Sequence, residues 1–200
     1  MNANANQALL TEHQTESLSN KAFGFWLYLM TDALIFALLF ATYVTMFRST
    51  ASGPEPSELF DLKHVFLETV CLLLSSITFG FAYLGALGKH RWQSVNWLLV
   101  TLILGVTFVY LEVVEFIGLI ENGAGPQASG YLSAFFTLVA THGIHVSVGM
   151  LGIIIMMFQI LNKGLTPSVN SRLFRLGLFW HFLDIVWIGI FSIVYLPVFI

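Results

Sequence analysis

Residues 132–160, LSAFFTLVATHGIHVSVGMLGIIIMMFQI, run for 29 positions without one Asp, Glu, Lys or Arg. At 1.5 Å per residue such a helix reaches ~43 Å, longer than the ~30 Å hydrocarbon core of a bilayer. A strand would cross in about ten residues, so the run reads as a membrane-spanning helix. His142 and His145 lie near its middle, one turn apart and on one face. Four comparable apolar runs occupy 24–47, 66–88, 94–118 and 175–197. The chain is 57% hydrophobic and only 10% charged, where a soluble domain carries about 25% charge. The expected fold class is all-α integral membrane, a bundle of five transmembrane helices.

Composition also narrows the partners. A net charge of −3 with no basic block argues against nucleic acid. The single cysteine, Cys71, permits no internal disulfide and cannot build a thiolate metal site alone. Residues 1–21 are polar and read as a mobile tail. They lack the basic start, short apolar core and small-residue cleavage site of a secretory signal, so the first span is expected to stay as an anchor. The membrane domain is then 22–200. Breaker chemistry separates the spans at Gly53-Pro54-Glu55-Pro56, at Asn122-Gly123-Ala124-Gly125-Pro126 and at Lys163-Gly164-Leu165-Thr166-Pro167. Lys21, Lys89, Arg91, Lys163, Arg172 and Arg175 fall on one side of this arrangement, against Arg48 and Lys63 on the other. The positive-inside rule therefore predicts a cytoplasmic N-terminus and a periplasmic C-terminus. Glu55, Glu58, Asp61 and Glu121 fall in the outer loops.

Every span holds a titratable group. An acid at the bilayer centre costs ~2.5–3.5 kcal/mol on insertion scales, so it is kept where it faces protein or water. Asp32 lies deep in the first span, and Glu68 lies a few residues into the second. Glu112 and Glu115 share a face of the third, His142 and His145 of the fourth, and His181 and Asp184 of the fifth. Counted from the outer ends, Glu112 and His142 reach similar depth, which makes a Glu–His contact between neighbouring helices available. Asp32 has two readings, a hydrogen-bonded structural acid or part of a proton relay. Glu68 reads most simply as a group near the surface. Ala33, Ala37 and Ala41 form a small-residue stripe where another helix could come close.

These eight residues do not form a familiar ligand set. Di-iron bundles need Glu-x-x-His on two helices, and here acids and imidazoles are segregated. Two facing histidines could ligate a haem, but nothing in the pattern indicates room for a macrocycle. No nucleophile elbow, phosphate loop or His-Glu-x-x-His is present. An independent haem or metal protein using His142, His145 and His181 remains one reading. A small proton-coupled transporter using Asp32 and Glu115 is another, without the repeats or interrupted helices that would support it.

Three segments carry a resemblance. Ser133-Ala134-Phe135-Phe136 leads into Thr141-His142-Gly143-Ile144-His145-Val146 and Gly149. Phe179-Trp180-His181-Phe182-Leu183-Asp184-Ile185-Val186-Trp187 follows on the last span. Phe25-Trp26-Leu27-Tyr28-Leu29-Met30-Thr31-Asp32 occupies the first. In this order they resemble subunit III of the haem–copper terminal oxidases, over residues 22–198. Asp32 matches the position of that family's carbodiimide-reactive acid, usually Glu. Leu104-Gly105-Val106 through Glu115 also fits, although Glu112 and Glu68 stand where related chains tend to have neutral residues. Mitochondrial-type members have two further helices in front; a five-helix form is similar to the quinol-oxidising, cytochrome o (bo-type) branch of bacteria.

The resemblance implies a non-catalytic accessory subunit of a proton-pumping ubiquinol oxidase in the bacterial inner membrane. Subunit I would hold the haem and copper, with none in this chain, and subunits II and IV would complete the complex. Phospholipids would lie in the grooves, and the complex would bind ubiquinol. Catalytic, cofactor and metal residues in this chain are expected to be none. Asp32, Glu68, Glu112, Glu115, His142, His145, His181 and Asp184 would then serve a buried polar network or proton uptake. A cytochrome c oxidase subunit III is the alternative within the family.

Overall fold

The structure, a computed structural model, describes residues 2–47, 49 and 62–198, with side chains from Ser19 to Phe47, at Ser49, and from Lys63 to Pro197. Arg48, Glu55, Glu58, Asp61 and the Gly53–Pro56 breaker lie outside the described residues. Five α-helices follow in order: α1 Asn2–Met46, α2 Leu62–Leu87, α3 Arg91–Glu121, α4 Gly130–Lys163 and α5 Pro167–Ile190. Each contains a stretch long and apolar enough to cross a membrane. Among the described residues there is no strand.

Two boundaries differ from the sequence expectation. The polar segment expected as a tail is helical from Asn2 onward. Its Ala, Leu, Gln and Glu residues are adequate helix formers, and extending an existing helix avoids the cost of nucleation. The fifth helix begins at Pro167, not 175. Thr166 caps it by accepting from the Val169 N–H at 3.4 Å, and Pro167 takes the first-turn position where its missing N–H costs nothing. The expected breaker Thr-Pro is thus a helix start, and Arg172 and Arg175 are carried within the helix.

The connections are tight. Gly123 adopts φ +76° after α3. Its N–H bonds the Ile120 carbonyl at 3.0 Å, and the Ala124 N–H bonds that of Leu119 at 2.9 Å, a Schellman ending. Ser129 caps α4 through the Leu132 N–H at 3.1 Å. α5 widens at Phe191–Tyr195 into a π-type turn and finishes in a 3-10 turn over Leu196–Val198. Pro197 explains the change of winding, because it removes an N–H and crowds the carbonyl four residues back.

The chain divides into two compact units, one through Ile35 and one from Phe36 onward. In the second unit α2 packs on α3 and α5, and α4 packs on α3 and α5, which closes a ring of four helices. The last turns of α1 lie along it: Phe36 meets His145 and Phe182, and Tyr43 stacks against Tyr131. The interior is aromatic, with Trp180, Trp187, Phe108, Phe135 and Tyr195 fully buried. Outer faces carry Leu38, Leu84, Trp92, Ile144 and Ile185 in the open. Such continuous apolar exposure belongs to a surface that meets lipid or partner helices.

Glycines set how closely the helices approach. A Cβ at Gly149 would lie 3.0 Å from the Trp180 ring and 3.3 Å from Phe179. Trp180 cannot retreat, because its indole N–H is bonded to Ser75 Oγ at 3.0 Å. Gly118 has nothing within 4 Å. Gly149→Ala should therefore cost ~1–3 kcal/mol by overpacking, while Gly118→Ala should be neutral or stabilising by up to ~1 kcal/mol. Thermal melting of the detergent-solubilised protein checks both; equal melting of the two variants would contradict the packing argument.

Candidate functional site

Three glutamates gather at the end of the second unit where α2 and α4 begin. Glu68 is 0% exposed, at odds with its reading as a surface group. The His64 Nε2, one turn earlier, stands 3.6 Å from its Oε1 and 3.3 Å from the Leu111 carbonyl oxygen of α3. Glu112 and Glu115 of α3 lie within Coulombic reach of Glu68. Glu115 is anchored by the Tyr195 hydroxyl, which donates to its Oε2 at 3.0 Å. Glu112 rests on the α4 backbone: a Cβ at Gly143 would stand 2.6 Å from its Oε2. Glycine at 143 is what gives that carboxylate its place.

His142 is next to Gly143 in sequence but does not join the acids. Its ring stacks on Trp187 at 5.3 Å and meets the edge of Phe108 at 5.8 Å. Among the described residues neither ring nitrogen has a hydrogen-bond partner. The Glu112–His142 hydrogen bond that matching depth made available is therefore not formed, because the helices rotate His142 into the aromatic core. His145 places Nδ1 2.7 Å from the Thr141 carbonyl oxygen of its own helix and packs against Phe36 and Phe179.

The α5 pair faces α2. His181 Nδ1 lies 2.7 Å from Ser76 Oγ and 3.5 Å from Asp184 Oδ2. Asp184 is 5% exposed, whereas the His181 side chain is 47% exposed. Sequence reasoning missed the hydroxyls that complete this seam. Trp187 donates to Thr69 Oγ1 at 3.1 Å, Trp180 donates to Ser75, and Thr78 pairs with Thr101 of α3 at 2.8 Å. A partial signal existed: Trp180 and Trp187 are seven residues apart, two turns on one face, although their partners Thr69 and Ser75 are six apart.

Asp32 belongs to the first unit, where it is 5% exposed and is engaged by the Tyr28 phenol one turn earlier. Among the described residues no three His, Cys, Asp or Glu side chains are grouped so as to hold a metal ion.

Residues 3–198 match the family described as cytochrome c oxidase subunit III. The chain belongs to this family. It is 50% identical over 185 residues to cytochrome bo(3) ubiquinol oxidase subunit 3 of Pseudomonas aeruginosa, covering 92% of this chain and 88% of that protein. It is 52% identical to the protein of the same description from Pseudomonas putida, over 86% and 84% of the two chains. Cytochrome c oxidase subunit 3 of Bacillus sp. (strain PS3) is 39% identical over 88% of this chain and 86% of its own. The paired histidines, the Trp-His-x-x-Asp-x-x-Trp run and Asp32 thus carried a family resemblance that holds across the chain.

The Tyr195–Glu115 bond joins the end of the chain to α3 and should be measurable. Tyr195→Phe leaves a buried carboxyl without its donor and should cost ~1–3 kcal/mol. In a double-mutant cycle with Glu115→Gln, a coupling of ~0.5–3 kcal/mol is expected. Thermal inactivation of the purified complex supplies the numbers, and strict additivity would contradict the bond.

Proposed function

We propose that the chain is the non-catalytic third subunit of a haem–copper quinol oxidase, a proton-translocating complex of the bacterial inner membrane. The observation that carries the reading is its identity of 50–52% to two subunits described as belonging to ubiquinol oxidases, over at least 84% of each partner. Haem and copper would reside in subunit I, with subunits II and IV completing the assembly. The arrangement here supports a structural role for the histidines. His142 is enclosed by Trp187, Phe108 and Phe36, and Nδ1 of both His145 and His181 is engaged within the chain. Arg91, Lys163, Arg172 and Arg175 cluster where α3 and α5 begin and α4 ends, where Arg91 bonds the Leu161 carbonyl. The positive-inside rule puts that end in the cytoplasm, and with it the acid cluster in the outer half.

A cytochrome c oxidase is the second reading, favoured by the Bacillus relative. Turnover of the purified complex with ubiquinol and with reduced cytochrome c separates the two, and ubiquinol is expected to be the donor. Asp32, buried on the first spanning helix, is assigned to proton uptake or to the contact with subunit I. Asp32→Asn should leave the haem spectrum and the first turnovers intact while lowering sustained activity severalfold. Loss of the haem spectrum in that variant would count against an accessory role.

A further inference from the structure

The helix ends where α2 and α4 stop and α3 and α5 start carry Lys89, Arg91, Lys163, Arg172 and Arg175. Among the described residues none of these five forms an ion pair. The described acids of the second unit lie elsewhere. Glu68 is near the start of α2, Glu112, Glu115 and Glu121 are toward the far end of α3, and Asp184 is past the middle of the last span. Hydrogen bonds place the guanidinium groups instead. Arg91 donates to the Leu161 carbonyl and Arg172 to Gln159 Oε1 at 2.8 Å, both on the last turns of α4. Arg175 donates from Nη1 to Ser171 Oγ at 2.9 Å. A helical side chain leans toward the N-terminus of its helix, so this bond carries the Arg175 charge one turn back toward the start of α5. Trp92 is 68% exposed and lies beneath the Arg91 guanidinium, 5.9 Å from its ring centre. Exposed tryptophan beside arginine belongs to the headgroup level of a bilayer.

An apolar groove begins at the same end. Arg172 and Arg175 bracket Leu173 and Phe174 in sequence, and those two line a groove of about 120 Å³ between α5 and α2. Gly177 continues the α5 wall, and Gly80 and Tyr83 stand on the α2 side. Gly80 has nothing within 4 Å of a would-be Cβ. By helical rise Tyr83 and Leu173 lie roughly 6–9 Å from the ends of their helices, and His181 roughly 21 Å. The groove therefore runs from just below the headgroups toward mid-membrane. Its lining presents almost no polar surface, which suits a stretch of hydrocarbon chain. The occupant must join such a chain to a negative charge at the headgroup level. A free phosphate makes no use of the groove, and neither does an acidic peptide. A zwitterionic lipid brings its own ammonium and gains less from cations that lack acids. Ser171 takes one of the five N–H donors of Arg175, and a guanidinium presents its remaining donors as a fork that fits phosphate oxygens.

We propose that Arg175 binds the phosphate of an anionic phospholipid, with Arg172 and Lys89 adding to the positive field and one acyl chain lying in the α2–α5 groove. The inference is independent of which electron donor the complex uses. The test takes the intact complex in lipid nanodiscs with a phosphatidylglycerol probe that carries a photoreactive group in its acyl chain. Label is expected on α2 around Gly80 and on α5 around Leu173 to Leu178, and the matching phosphatidylcholine probe should label severalfold less. Arg175→Gln keeps a polar side chain and removes the charge; it should cut phosphatidylglycerol labelling about tenfold, the loss of one charge-assisted hydrogen bond. Gly80→Leu should abolish label at the groove while every cation stays in place, and it keeps the test decisive if Arg175→Gln fails to assemble. Equal labelling by the two lipids would mean a groove without headgroup recognition and would overturn the proposal. So would labelling indifferent to both variants, or displacement of the probe by inorganic phosphate, which would mark a site for a free anion. A Gly80→Cys cross-link to a neighbouring subunit would show protein on this face and would overturn it as well.

Discussion

The seam between α2 and α5 is the constraint on which the rest of the second unit depends. Lipid supplies no hydrophobic drive for helix association, so helices in a bilayer hold together by close packing and by interhelical hydrogen bonds. Trp180 and Trp187 provide both. Their indole N–H groups end on Ser75 and Thr69 of α2, and their rings fill the space between α4 and α3. Once these rings are fixed, Gly149 must be bare and His142 must stack on Trp187. The edge of Phe108 then closes the cage, with its ring centre 4.6 Å from that of Trp187. The hydroxyls of Thr69 and Ser75 also accept these bonds while bonding carbonyls of their own helix, so α2 leaves little of its polar surface facing lipid.

The acid cluster has a different physical character. Glu68, Glu112 and Glu115 share one small region, yet among the described residues Glu115 alone of the three has a close donor, and Glu68 leaves both oxygens without a hydrogen bond. Partly satisfied polar groups in low dielectric are costly. The chain accepts that cost on α2 and α3 while it satisfies the tryptophans on α5 completely. The difference separates a seam built for packing from a cluster of buried carboxyls with few partners, with partly exposed His64 as its neighbour toward the helix end.

Much of this architecture was legible because five uncharged runs in a chain that is 57% hydrophobic leave few alternatives. Run lengths gave the spans, and Gly123 and Gly164, both at positive φ, gave two helix ends. What was not legible depended on helix rotation. Matching depth suggested that Glu112 would meet His142, but depth fixes only one coordinate. The rotation of α4 points Gly143 at the acid and turns His142 toward Trp187. The start of α5 was misread for another reason. Charged Arg172 and Arg175 suggested a boundary, whereas they stay helical by bonding Gln159 and Ser171 near the membrane surface.

His142 and His181 show how the same side chain can serve opposite ends. Both are single imidazoles deep in spanning helices, each near an acid in sequence or in space. His142 is surrounded by Trp187, Phe108 and Phe36, and its two nitrogens face rings that cannot exchange protons with it. It contributes shape. His181 is held by one nitrogen against Ser76 and Asp184 and presents the other outward. Asp184 is itself 5% exposed and without a tighter partner than His181. Asp184, His181 and Ser76 instead form a polar tie between α5 and α2 at mid-span, where His142 offers only ring contacts.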